Sequence, residues 1–195
     1  DGNLTGQPGR ELSSYVVRKV LTMIGEGIRD GAACRSMSDQ LFVEFNGQKE
    51  VSLNLLSLDL ETNTLVISRN NPAPVFVAQD EFVDCLSMQS FPIGAARNIR
   101  PVVSEIPLNL GTTVVLYTDG VLNAGIKHND LGIDICSFLS GIIEDQDPNA
   151  QEIADALIKQ AIRLDHGHPE DDMTVVVLRA MPLLEDRLGR MTVKF

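Results

Sequence analysis

Apolar positions recur at spacings of three and four between Pro8 and Ile28, with Leu12, Val16, Val20 and Met23–Ile24 on one side. That period predicts an amphipathic helix. Pro8 suits its first turn, where no backbone N–H is needed. Gly25, Gly27 and Gly31 punctuate its end. Met37, Leu41 and Phe45 place a second short helix over Ser36–Phe45. The period then falls to two. "VSLNLLSLDL" (51–60) and "LVISRN" (65–70) read as strands joined by the turn "ETNT". "PVFVAQD" (74–80) and "EFVDCLSM" (81–88) read as another hairpin. "VVSEIPLNL" (102–110) alternates, and Gly111 leads into the strand "TTVVLYT" (112–118). Helical periodicity returns over Leu131–Ile143 and Asn149–Leu164, followed by the apolar strand "MTVVVL" (173–178) and a short strand at 191–195. Hairpins first, with helices only between the last strands, predict an α+β fold dominated by antiparallel sheet.

Composition narrows the classes. A chain of 195 residues, 44% hydrophobic, can bury a sizeable core as one domain. It has no Trp and two Tyr, so that core is aliphatic. A formal net charge of −11 excludes the basic footprint of a nucleic-acid binder and disfavours an anionic membrane surface. It would also repel a phosphorylated substrate unless cations neutralised the site. The acidic excess has a plainer role in solubility. Cys34, Cys85 and Cys136 form no CxxC pair, so neither a zinc site nor a disulfide framework is expected. Their odd number suits a reducing cytoplasm. No apolar run approaches the length of a membrane span, and "DGNLTGQPGR" lacks the apolar stretch of a signal peptide.

Carboxylates stand at the ends of these elements. Asp119 closes the strand 112–118, Asp171 and Asp172 precede the strand 173–178, and Asp1-Gly2 precedes the first helix. If the strands are neighbours, the carboxylates converge. Clustered carboxylates repel unless protonated or bridged by cations. Hard divalent ions such as Mg²⁺ or Mn²⁺ take oxygen ligands and would make an acidic site attractive to phosphate. Gly2 and Gly120 would let the backbone turn sharply beside an ion. Taken singly, each aspartate reads first as a turn or cap residue.

"VVLYTDGVLNAG" (114–125), followed some fifty residues on by "HPEDDMTVVVLR" (168–179), resembles the C-terminal signature pair of the metal-dependent protein serine/threonine phosphatases. The similarity is closer to their bacterial stage II sporulation protein E branch. "SLDLETNTLVISRNNPAPVFV" resembles that family's hairpin and the turn after it, and "FPIGA" (91–95) resembles a further turn. The resemblance spans residues 1–180 and leaves 181–195 as an extension. It implies a sandwich of antiparallel sheets flanked by helices, and two Mn²⁺ or Mg²⁺ ions. Asp119 and Asp171 would be metal ligands, with Asp172 orienting the loop. At the start, two registers are open. Asp1 and the Gly2 carbonyl supply ligands in one; in the other, Asn3 takes the aspartate's place and weakens divalent binding. The family's upstream strands and their acidic segment are absent from these residues, Gln7 stands for a family histidine, Arg69-Asn70 for a Gly-His pair, and Asn123 for a frequent glutamate.

The activity so implied is hydrolysis of a phosphoserine or phosphothreonine in a regulatory protein, such as an anti-sigma-factor antagonist, by water activated between the metals. No nucleic acid and no membrane enter this reading, and it leaves a homodimer open. His166, His168 and His128 are expected at the surface, and the cysteines in the core. The alternative is a degenerate phosphatase-like module that binds a regulator without catalysis. A haloacid-dehalogenase-like site is disfavoured, because "YTDGV" lacks the second aspartate of an Asp-x-Asp nucleophile.

Overall fold

A computed structural model describes residues 6–79, 82–128, 132–169 and 171–182. Two helices open the fold, α1 (Gln7–Gly25) and α2 (Asp30–Phe45). Four strands follow as hairpins: β1 (Leu53–Asp59), β2 (Thr64–Asn70), β3 (Val75–Gln79) and β4 (Phe82–Leu86). Then come β5 (Val102–Pro107), β6 (Thr113–Tyr117) and a one-turn helix α3 (Asp119–Leu122). The helices α4 (Ile135–Gln146) and α5 (Ala150–Leu164) lead to β7 (Val175–Arg179), the last strand among the described residues.

The strands form two wholly antiparallel sheets, in the orders β1-β2-β5 and β4-β3-β6-β7. Side chains alternate across each strand, so each sheet has an inner and an outer face. Leu65 and Ile67 from one sheet meet Val75, Val77 and Val114 from the other, making the middle of a sandwich. On one outside, Leu12, Val16 and Val20 of α1 and Met37 and Leu41 of α2 pack with Leu53 and Val51. On the other, Leu139 of α4 and Ile153, Leu157 and Ala161 of α5 cover Phe76, Ala78, Val115 and Tyr117. Helices thus cover both outer faces of an antiparallel β-sandwich, the expected α+β architecture.

Some boundaries differ from the sequence pattern. α2 starts at Asp30 rather than Ser36, because Gly27, not Gly31, ends α1. Gly27 has φ +85, which favours glycine, whereas Gly31 sits inside α2 against Val103 and Pro101. α3 and a short 3₁₀ turn (Ile126–His128) were not expected from the pattern, since four residues carry no readable period. β7 is an edge strand with Val176 half exposed, although its sequence is apolar throughout. Cys85 and Cys136 form a disulfide, which corrects the expectation of unpaired core cysteines. The packing of α4 against β4 joins positions 51 residues apart, a proximity that sequence spacing does not reveal. Cys34 alone meets the expectation of a buried free thiol. The expected strand at 191–195 lies outside the described residues.

The family-like turn after β2 is built around a buried cation. Arg69 is 1% exposed and has no carboxylate partner among the described residues. Its Nη1 donates to the carbonyls of Asn71 (3.0 Å) and Ala73 (3.3 Å), and its Nη2 donates to that of Met88. Ser90 Oγ donates to the Arg69 carbonyl at 2.7 Å, and Asn70 Nδ2 donates to the Phe91 carbonyl at 3.1 Å. Burial lowers the Arg69 pKa from its ordinary value, opposed by its electrostatic interaction with Tyr117. Arg69 and Asn70 therefore hold two loops together.

Candidate metal-binding active site

The site begins with strand pairing. β6 and β7 run side by side, with Tyr117 opposite Val175. The end of β6 therefore meets the start of β7, although more than fifty residues separate them in the chain. Asp119 leaves the first end and Asp171-Asp172 enters the second. All three are exposed.

Thr118 laces the two ends. Its N–H donates to the Thr174 carbonyl at 3.1 Å. Its hydroxyl donates to the Asp172 carbonyl at 3.1 Å and accepts from the Thr174 N–H at 2.9 Å. A threonine can do both because one hydroxyl is both donor and acceptor. Beyond it the chain turns into α3. The Leu122 N–H reaches the Thr118 carbonyl at 3.3 Å, and the Asn123 N–H reaches that of Asp119 at 2.8 Å.

Gly120 lies where the two segments come closest. A Cβ placed on it would lie 2.6 Å from the Asp172 carbonyl oxygen and 3.3 Å from Asp171 Cβ. Its φ is outside the left-handed range, so of the two uses of a glycine here, a sharp turn and a close approach, the structure shows the close approach, to the Asp172 backbone. The missing side chain lets the root of Asp171 sit against the backbone immediately after Asp119. Asp171 Oδ1 also accepts from the Asp172 N–H at 2.8 Å, which orients its carboxylate.

Two further contacts frame this junction. Arg10 Nη2, in the first turn of α1, lies 3.8 Å from Asp172 Oδ2, with both side chains exposed. That brings the chain following Asp1–Thr5 beside the carboxylates. Asp1, Gly2 and Asn3 themselves lie outside the described residues. On the opposite flank, Asp165 is 5% exposed and Oδ1 accepts from the Gly125 N–H at 2.8 Å. His166 and His168 are exposed, as expected.

The donor set suits a hard divalent cation. Carboxylate oxygens are the ligands Mg²⁺ and Mn²⁺ prefer, and Mg²⁺ is commonly held by one or two carboxylates, with waters and phosphate oxygens completing its shell. Asp119 and Asp171, whose segments meet at Gly120, would supply two such groups. Among the described residues, no group of three or more His, Cys, Asp or Glu is arranged to hold a metal ion. Thr118, Asp165 and Arg10 were not singled out by sequence reasoning. The only local signal was Thr118 directly before Asp119-Gly120.

The chain is similar to known proteins. The model of the family described as Stage II sporulation protein E matches residues 7–181. Stage II sporulation protein E of Priestia megaterium is 26% identical over 179 residues, covering 92% of this chain and 30% of that protein. The chain thus spans less than a third of that relative's length. Among solved structures, the PP2C phosphatase domain with a regulatory-domain fragment of the cell fate determinant SpoIIE from Bacillus subtilis has a TM-score of 0.74 at 24% identity. It covers 92% of this chain and 52% of that one. The catalytic domain of the serine/threonine protein phosphatase PstP, in complex with two manganese ions, has a TM-score of 0.64 at 17% identity over 93% of this chain and 86% of that one. At these identities the structures establish the shared fold.

Proposed function

The chain belongs to the stage II sporulation protein E family, and from that premise we propose that it is a metal-dependent phosphoprotein phosphatase acting on phosphoserine or phosphothreonine. The observation that carries this reading is the junction where Thr118 laces β6 to β7 and the backbone immediately after Asp119 meets the root of Asp171 at Gly120. Asp119 and Asp171 would hold the metal, with Asp1 and the Gly2 carbonyl completing the ligand set. When bound, two Mn²⁺ or Mg²⁺ ions supply positive charge for a phosphoryl group and acidify water to a nucleophile at neutral pH. The chain's own part is geometric. Thr118 fixes the spacing of the two strand ends, and the Asp172 N–H turns the Asp171 carboxylate. Arg10 places a positive charge on the rim.

The substrate in this proposal is a small phosphorylated regulator of the anti-sigma-factor-antagonist kind, with neither nucleic acid nor membrane as partner. No helix among the described residues is long and apolar enough to cross a membrane. The phosphatase domain would occupy 1–180, with 181–195 as an extension.

A second reading, a phosphatase-like module without turnover, is favoured by the residues at the start of the chain: Gln7 stands where the resembled family has a histidine, and in one register Asn3 takes the place of a bridging aspartate. One assay separates the two. Hydrolysis of p-nitrophenyl phosphate and of a phosphoserine peptide is measured with and without Mn²⁺. The enzyme reading expects Mn²⁺-dependent turnover that Asp119→Ala and Asp171→Ala each abolish. Absence of turnover together with retained peptide binding favours the module.

A further inference from the structure

Asp165 is a buried acid that the proposed chemistry does not use. It caps the C-terminus of α5, where its own N–H donates to the Ala161 carbonyl at 3.1 Å. Its side chain and its backbone serve different loops. Oδ1 accepts from the Gly125 N–H at 2.8 Å, closing the segment that begins at Asp119. Its carbonyl accepts from the His168 N–H at 2.9 Å, fixing the segment that runs on to Asp171. Between these two anchors α3 rests against α5. The second bond is made by backbone and needs no particular side chain; the first needs the buried carboxylate. One residue thus touches both arms of the site at the end away from Thr118.

A buried carboxylate is costly unless hydrogen-bonded, and bonds from backbone N–H groups to an ionised carboxylate are among the stronger ones. Such a bond holds a loop with little play. Removing a group that orients a metal ligand from one layer out typically costs about 10–100-fold in metal affinity or activity.

We propose that Asp165 is a positioning residue that sets the separation of Asp119 and Asp171, and through it the affinity of the site for a divalent cation. The inference rests on the metal-site reading above and adds a residue to it. Thr118 clamps the junction from the strand side and Asp165 from the helix side. Removing the acceptor frees the Gly125 end of the Asp119 segment while leaving both ligands in place.

The test measures Mn²⁺ binding to the full chain by titration calorimetry, with circular dichroism and thermal melting on the same samples. Asp165→Ala is expected to weaken Mn²⁺ binding about tenfold or more at a temperature where the variant is folded. Asp165→Asn keeps an acceptor oxygen and is expected to stay within about threefold of wild type. The Gly125 amide should exchange with solvent faster in Asp165→Ala than in Asp165→Asn. Folded Asp165→Ala that binds Mn²⁺ like wild type, with only a lower melting temperature, overturns the positioning role. Equal losses in the Ala and Asn variants overturn it too, because the acceptor would then not matter. Should Asp165→Ala not fold, Asp165→Glu asks the same question, since it keeps the buried charge and displaces the acceptor by one methylene. Wild type that fails to bind Mn²⁺ overturns the metal reading itself, and that failure is visible before any variant is compared.

Discussion

Adding one methyl group at Gly120 tests the junction most directly. In Gly120→Ala the new Cβ would lie 2.6 Å from the Asp172 carbonyl oxygen and 3.1 Å from its carbon. Carbon and oxygen rarely approach below about 3.3 Å even in weak C–H···O contacts, so the overlap is about 0.7 Å. The obstacle is backbone, not a side chain that can swing aside. That backbone is pinned by the Thr118 hydroxyl and by the pairing of β6 with β7. Relief therefore has to come from parting the Asp119 turn and the Asp171–Asp172 segment. Overpacking of this kind costs about 1–3 kcal/mol. Alanine recovers up to about 1 kcal/mol through its better helix propensity in α3. The net expectation is a loss of about 0–3 kcal/mol, or up to about 12 °C in melting temperature for a chain of this size. The same movement separates Asp119 from Asp171, so Mn²⁺ affinity should fall about tenfold or more. Thermal melting with and without Mn²⁺, beside titration calorimetry, reads both effects. A Gly120→Ala protein as stable as wild type that binds Mn²⁺ equally well would falsify the close approach on which the site is built.

Arg69→Ala should destabilise by about 3 kcal/mol or more in urea unfolding, because the carbonyls of Asn71, Ala73 and Met88 lose their donor inside the protein; a loss below about 1 kcal/mol would mean that solvent reaches them. Alkaline pH should weaken the fold in a defined window. Burial pushes the Cys34 thiol from 9.0 up to about 12 and the Tyr117 phenol from 10.0 up to about 12, Arg69 partly opposing the latter. Both groups keep their protons longer folded than unfolded, so their contribution is intact below pH 9 and is lost as pH rises from 9 toward 12. Urea midpoints flat across that range would contradict this burial, and Cys34→Ala should remove the lower part of the slope. Asn149 caps α5 in a reciprocal box with Glu152, so Asn149→Ala should cost about 1 kcal/mol in the same unfolding assay.

Much of the fold can be read from one element at a time. The three-and-four spacing of Leu12, Val16 and Val20 needs only the turn of a helix to put them on one face, and in the structure they are buried. The hairpins of β1 with β2 and β3 with β4 follow from alternation and the turns between them. The aspartates at strand ends were legible as well, and similarity to a family singled out Asp119 and Asp171 among them. Short elements were not: α3 has no period to read, and Gly31 looked like a helix end because a glycine inside a helix has the same letter as one outside it.

The sequence by itself determined the order and kind of the long elements, the aliphatic core and the acidic character of the site. The tertiary structure decided what meets what. Only the pairing of β6 with β7 brings Thr118 to Asp172 and leaves Gly120 against Asp171. Only the packing of α5 puts Asp165 under Gly125, and only the placing of α4 brings Cys136 to Cys85. Arg69 looked like a replaced site residue and proved to be a buried clamp for two loops. The physical reason is range. Periodicity and capping act within a few residues of the chain, whereas these contacts join segments about twenty to fifty-six positions apart. They exist only once the sheets have stacked and the helices have closed over them.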